Sequence, residues 1–110
     1  MKPVEWLGSS QEDVRSFSPI ARQNIGYQLY RLQNGLDPSG WKPMTSIVSG
    51  VSEIRIQAEK EHRVIFLAKF EEAIYVLHAF VKKTSKTAKK DIDLTSRRLK
   101  ELPILRKEKK

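Results

Sequence analysis

The sequence predicts an α+β domain: a small antiparallel sheet, a helical hairpin from the N-terminal third on one face of it, and a C-terminal helix. The predicted order is β-α-α-β-β-β-α. Three observations predict this. Ala21, Ile25, Leu29 and Leu32 recur at helical spacing and form one apolar stripe. Between residues 52 and 81 the chain turns to β-branched and aromatic runs, "SEIRI", "HRVIFLAKF" and "AIYVLHAFV", separated by short polar breaks. Beyond them Ile92, Leu99 and Leu102 return to helical spacing.

Taken in order, "PVEWL" at residues 3–7 reads as a first strand. Ser9 with Glu12 three residues on is a capping-box pattern for a short helix over about residues 10–16. Ser18-Pro19 is a second helix start, with serine as N-cap and proline at the first helical position. Asn34-Gly35 stops that helix, and "GLDPSGWKP" at 35–43 is expected to be loop. In "SEIRI", Ile54 and Ile56 point one way while Glu53 and Arg55 point the other. The runs at 62–70 and 73–81 follow, joined by a turn at Glu71-Glu72. Short connections make a meander the cheapest topology. Thr87 is expected to cap the last helix and Pro103 to end it. Residues 1–102 are therefore expected to be the domain, and residues 103–110 a frayed basic tail.

The 110 residues suit one domain with a modest core. The absence of cysteine excludes disulfides and thiol chemistry. No apolar run approaches the roughly 18 residues of a membrane span, and "MKPVEWLGSS" carries no secretory h-region. A cytoplasmic protein without membrane partners is expected. Lys and Arg number 21 against 13 Asp and Glu, a net charge of +8. All of that excess lies from Lys82 onward, while the charges of residues 1–81 balance. A local positive patch favours docking to nucleic acid, an anionic membrane or an acidic protein; a solvated basic surface is the plainer alternative.

Two histidines without a carboxylate at metal-binding spacing argue against a metal site, and the five glycines contain no phosphate-loop or dinucleotide fingerprint. What remains is a group of cations on three consecutive strands. Arg55 faces outward from its strand, Arg63 opens the next, and His78 shares a face with Phe80 and Lys82 by strand alternation, with Lys83 following. Guanidinium groups hold phosphate oxygens in a fork and ammonium groups neutralise developing charge, so the cluster suits a phosphodiester. Each member also has a structural reading. Arg63 beside Glu61 can be a surface ion pair, His78 a core histidine, Phe80 and Tyr75 core aromatics, and Trp41 a cover for the sheet rather than a base-stacking platform.

The segments "KPMTSIVSGVSEIRI", "HRVIFLAKFEEAIYVLHAFVKKTSKTAKKDI" and "SRRLKEL" resemble the RelE/ParE superfamily of bacterial toxins, most nearly its phage-derived, HigB-like branch. The resemblance runs from Val4 to about Leu102 and is most specific over residues 51–102. It implies a toxin of a type II toxin–antitoxin pair that cuts messenger RNA in the ribosomal A site without a metal or other cofactor. In such a reaction the 2′-hydroxyl attacks the adjacent phosphate. By that resemblance Arg55 lies near the scissile phosphate, Arg63 stabilises the transition state, and Lys83, with Lys82 before it, stands where relatives carry an arginine after the last strand. Lys86, Lys89, Lys90, Arg97 and Arg98 would contact ribosomal RNA phosphates. The implied partners are the ribosome with its mRNA and a cognate antitoxin, a small helix-turn-helix DNA-binding protein. The sequence departs from RelE in having no tyrosine near Lys89, where the family's C-terminal aromatic falls, so the general base is left open between His78 and a lysine, with orientation and phosphate neutralisation doing most of the work as the alternative. The superfamily also contains ParE, which poisons DNA gyrase, and a basic module that binds RNA without cutting it is a third alternative.

Overall fold

The apolar stripe of the N-terminal third and the alternation of the middle third meet in one core. The structure is a computed structural model that describes residues 1–43, 50–83 and 87–108. Its elements are β1 (Val4–Trp6), α1 (Ser10–Arg15), α2 (Pro19–Gln33), β2 (Trp41–Pro43), β3 (Val51–Ala58), β4 (Lys60–Leu67), β5 (Ile74–Lys82) and α3 (Lys89–Glu108). The predicted α+β class and element order hold, with one strand added. The five strands form a single sheet in the order β1-β5-β4-β3-β2.

β3, β4 and β5 make the expected antiparallel meander. Two edges differ from expectation. β1 pairs with β5 in parallel, held at its ends by Ile74 N–H donating to the Pro3 carbonyl at 2.9 Å and Leu7 N–H to the Val76 carbonyl at 3.0 Å. Trp41–Pro43, expected as loop, pairs with Ile54–Ser52 of β3 as a short edge strand. A free edge of β3 leaves backbone groups to be satisfied, and β2 covers that edge at Ser52–Ile54. The turn between β3 and β4 is also tighter than expected. Only Glu59, at φ 62°, separates the two strands.

Helix α2 starts as predicted, with Ala21 N–H donating to Ser18 Oγ at 3.3 Å and Pro19 at the first position. Its stripe of Ala21, Ile25, Leu29 and Leu32 packs with Val14 of α1 against Ile54, Ile56, Val64, Phe66, Ile74 and Val76. The capping box at Ser9 does not form. Ser9 sits at the N-cap without capping, and its hydroxyl donates to Asp13 Oδ2 at 2.9 Å instead. The opposite face of the sheet carries a second cluster, Val51, Ile65, Leu67, Tyr75, Leu77 and Phe80, covered by Leu99 and Leu102 of α3. Among the described residues α3 therefore covers this face with Leu99 and Leu102 over the cluster, and its first turn reaches the end that holds Phe80.

Helix α3 begins at Lys89, two residues after the expected cap Thr87, and runs through Pro103 to Glu108. Pro103 was expected to end it, because the ring removes one helical hydrogen bond and crowds the preceding turn. The last turn is held from outside the helix: Arg106 bonds Glu72 through Nε at 2.6 Å and Nη2 at 3.1 Å, and its guanidinium lies 3.5 Å over the Phe70 ring. Residue 106, expected in a frayed tail, is thus tied to the loop before β5.

Candidate active site

One irregularity in β5 sets the geometry of the end of the sheet that holds Phe80. The register runs Leu67↔Tyr75 and Phe66↔Val76, then shifts to Ile65↔His78, so Leu77 is the extra residue of a β-bulge. The shift changes strand parity. Tyr75 and Leu77 lie in the α3-side cluster, and so does Phe80, while Val76 and Ala79 lie on the hairpin side. His78, paired with Ile65, is thereby brought to the α3 side together with Phe80, and their rings stack with centroids 5.0 Å apart. The face shared by His78 and Phe80 agrees with alternation. The bulge that selects which face it is has no sequence signature.

The ladder places Arg55 opposite Arg63, and Arg63 opposite Phe80, in one row across three strands. The neighbouring rows hold Glu53 beside Ile65 and Gln57 beside Glu61, with Glu61 opposite Lys82. The two arginines are therefore neighbours, but their environments differ. Arg55 keeps 40% of its side chain exposed, with Nε on Glu53 Oε1 at 3.2 Å. Arg63, expected at an open surface, is 3% exposed. Its Nη1 donates to Glu53 Oε1 and its Nη2 pairs with Glu61 Oε2 at 3.0 Å. The ion pair with Glu61 anticipated from sequence is present, but as the rim of a buried network centred on Glu53. Glu53 Oε2 and Arg63 Nε are buried with no hydrogen-bond partner among the described residues.

His78 Nε2 is 2.7 Å from Asp91 Oδ1, so the first turn of α3 is tied to β5 through a histidine–carboxylate pair. Beside it lies a cleft of about 250 Å³ lined by Phe80, Val81, Lys82, Lys83, Ala88, Lys90 and Asp91. The structure thus brings Lys82, Lys83 and Lys90 around one concavity, with Lys83 and Lys90 exposed. Lys89 and Arg97 are exposed on α3. Lys86 lies outside the described residues.

Arg98 does not belong to this basic surface. It is 8% exposed, and its Nη1 donates to the Leu77 carbonyl at 2.8 Å, the carbonyl of the bulged residue. Nη2 donates to Ser9 Oγ at 3.1 Å. The expectation that Arg98 contacts phosphate is corrected on that ground: its donors answer an interior carbonyl. A Cβ on Gly8, whose φ is 54°, would come within 2.6 Å of the same guanidinium, so glycine is required there twice over. Trp41, on the β2 edge, is 41% exposed and lies away from the cleft.

Sequence reasoning missed Glu53 and Asp91. Glu53 carried a signal, since alternation puts it on the same side as Arg55. Asp91 carried none, because thirteen residues and a change of element separate it from His78. Among the described residues no group of His, Cys, Asp and Glu is placed to hold a metal ion.

Residues 12–100, from α1 to within α3, match the family described as phage derived protein Gp49-like. The chain belongs to the Gp49-like family. This family falls within the RelE-type group of toxins from toxin–antitoxin systems. Membership makes the protein toxin-like and points to an antitoxin as its partner. No curated protein matches the chain. No helix among the described residues is long and apolar enough to cross a membrane.

Proposed function

We propose that this Gp49-like protein is the toxin of a type II pair, on the HigB-like side of the superfamily, and that it cuts messenger RNA on the ribosome without a metal. It would act in the cytoplasm, restrained by an antitoxin of the helix-turn-helix class. The observation that carries this reading is the row Arg55–Arg63–Phe80 ending at a cleft lined by three lysines. In-line attack by a 2′-hydroxyl builds negative charge on phosphorus, and fixed cations are the residues present to meet it. Arg55, exposed at 40%, can reach a phosphate directly. Arg63 supports it from beneath, since both arginines share Glu53 Oε1. Lys82 and Lys83 supply charge and a proton at the leaving oxygen. Lys89, Lys90 and Arg97, with Lys86, extend the positive surface toward ribosomal RNA.

A second reading is favoured by one specific observation. Arg63 is enclosed by Glu53 and Glu61, which removes a guanidinium from solvent. A face so neutralised also suits a ParE-like gyrase poison, which needs no phosphodiester chemistry. Purified protein incubated with programmed ribosomes, and in parallel with gyrase in a supercoiling assay, separates the two. The ribonuclease reading expects cut mRNA bearing a 2′,3′-cyclic phosphate and undisturbed gyrase. Intact mRNA with inhibited supercoiling would replace it with the second reading. Ribosome binding without cutting or gyrase inhibition would leave a non-catalytic RNA-binding module.

A further inference from the structure

Any 2′-hydroxyl attack needs a proton acceptor, and the sequence offered His78 for it. The geometry does not suit that role. Both ring nitrogens are spoken for or sealed: Nε2 is engaged by Asp91 Oδ1 at 2.7 Å, and Nδ1 is buried with no hydrogen-bond partner among the described residues. The ring is also packed against Phe80, and His78 is not among the residues that line the cleft. An imidazole that gives its Nε2–H to a carboxylate and buries Nδ1 has no nitrogen to present to a substrate. The carboxylate it holds is placed differently. Asp91 lines the cleft alongside Lys82, Lys83 and Lys90, and keeps twice the side-chain exposure of His78, 14% against 7%.

We infer that Asp91 is the catalytic base of this active site and that His78 is the positioning residue that aims it. The inference rests on the ribonuclease reading and deepens it. The Asp91 carboxylate takes the proton of the 2′-hydroxyl. The 2′-oxygen forms its bond to phosphorus as the bond from phosphorus to the 5′-oxygen breaks. That oxygen takes a proton from the ammonium of Lys82 or Lys83. The products are a 2′,3′-cyclic phosphate and a 5′-hydroxyl. Proton exchange with water then returns Asp91 to carboxylate and the lysine to ammonium. Aiming matters because a base contributes only within hydrogen-bond reach of the proton it removes. The bond from His78, itself fixed by stacking on Phe80, removes the rotational freedom of the Asp91 side chain.

A purely structural role must be separated from this one. Asp91 lies in the first turn of α3, where a carboxylate stabilises the helix start, and its bond to His78 ties α3 to the sheet. The test is single-turnover cleavage of mRNA on programmed ribosomes by the wild type, Asp91→Asn and His78→Gln, with ribosome affinity and melting temperature measured in parallel. Asparagine still accepts from Nε2, and glutamine still offers an N–H to Asp91. Asp91→Asn is expected to cut roughly a hundredfold or more slowly, with ribosome affinity and melting temperature close to wild type. It should stay slow on an mRNA carrying sulfur at the 5′ bridging position, a leaving group that needs no proton. His78→Gln should lose no more than about tenfold, as expected for lost aim with the base retained. A near wild-type Asp91→Asn, its rescue by the sulfur-bridged mRNA, or a deeper loss in His78→Gln would each overturn the assignment. Should Asp91→Asn not fold, His78→Gln decides alone: a hundredfold loss makes the histidine the base, and a loss within tenfold keeps it in the positioning role. Wild-type protein that cuts nothing removes the ribonuclease reading and this assignment together. Wild-type cutting beside an equally active Asp91→Asn removes the assignment only.

Discussion

Arg63 and Arg98 show how far a single residue can depart from what its letter suggests. Both are cations in a basic protein, and both are buried. Burial changes what their removal does. Truncating Arg63 leaves the Glu53 carboxylate inside the protein without its main partner, which typically costs about 3–5 kcal/mol. Arg63→Ala is therefore expected to unfold at markedly lower urea than the wild type, whatever happens to activity. Replacing Glu53 and Arg63 together by apolar residues of similar size should recover most of that loss, as buried pairs often do; equal loss in the double variant would show that the pair is not the source. Arg98→Ala should cost roughly 1.5–3 kcal/mol, the range for hydrogen bonds made by charged groups. It should leave the salt dependence of ribosome binding unchanged. Arg97→Ala, one position earlier and exposed, should keep stability and lower the salt slope by about one. The face of Arg55 and Glu53 was legible from strand alternation. The burial of Arg63 was not, because alternation tells which side a residue takes and not what covers that side.

At the scale of elements, periodicity carried α2 and the three meander strands, since one face of each is apolar and the spacing declares it. What escaped were features fixed by distant partners. Strand β2 exists because β3 has an edge to satisfy, and the parallel seat of β1 depends on β5. The bulge at Leu77 is stabilised by Arg98, twenty-one residues away. The end of α3 is a further case, where local chemistry at Pro103 is overridden by Arg106 and Glu72. Arg106, mainly by hydrogen bonding and with Tyr75 adding a second bond, lowers the Glu72 pKa from 4.5 to about 2. A depressed carboxylate pKa means that the folded state prefers the ionised group. Its contribution is then full above the usual carboxylate range and is lost as pH falls through about 2. Burial, reinforced by Glu72, pushes the Tyr75 hydroxyl upward. NMR secondary shifts of residues 103–108 should hold steady from pH 7 to pH 5 and decay toward coil as pH approaches 2. Shifts unchanged at pH 2 would show that the salt bridge does not hold the last turn past Pro103. Glu72→Gln should loosen that turn already at neutral pH.

Over the whole molecule, charge and core divide the chain between them. The first 81 residues, nearly neutral, build the sheet and the helical hairpin. The remainder brings the positive surface and lays Leu99 and Leu102 over the second face. The fold class was legible because each layer declares its period. The site was half legible: its arginines and lysines stood out as a charge cluster, whereas the carboxylates that organise them, Glu53 and Asp91, came into view only with the strand register and the placement of α3. Neutralising Lys89 and Lys90 together should weaken ribosome binding and reduce its salt slope by about two; an unchanged slope would place the RNA contact elsewhere. The claim on which the functional account depends is that the face bearing Arg55 is where RNA is cut. Arg55 is the member of the row whose loss should spare the fold, since its side chain is 40% exposed and Glu53 keeps Arg63 as partner. Single-turnover cleavage of ribosome-bound mRNA by Arg55→Ala, beside the wild type, tests that claim most directly. The account predicts a rate lower by roughly a hundredfold or more, a loss of about 2.7 kcal/mol in transition-state stabilisation, at an unchanged melting temperature. A rate within twofold of wild type would contradict it and remove this face from the active site.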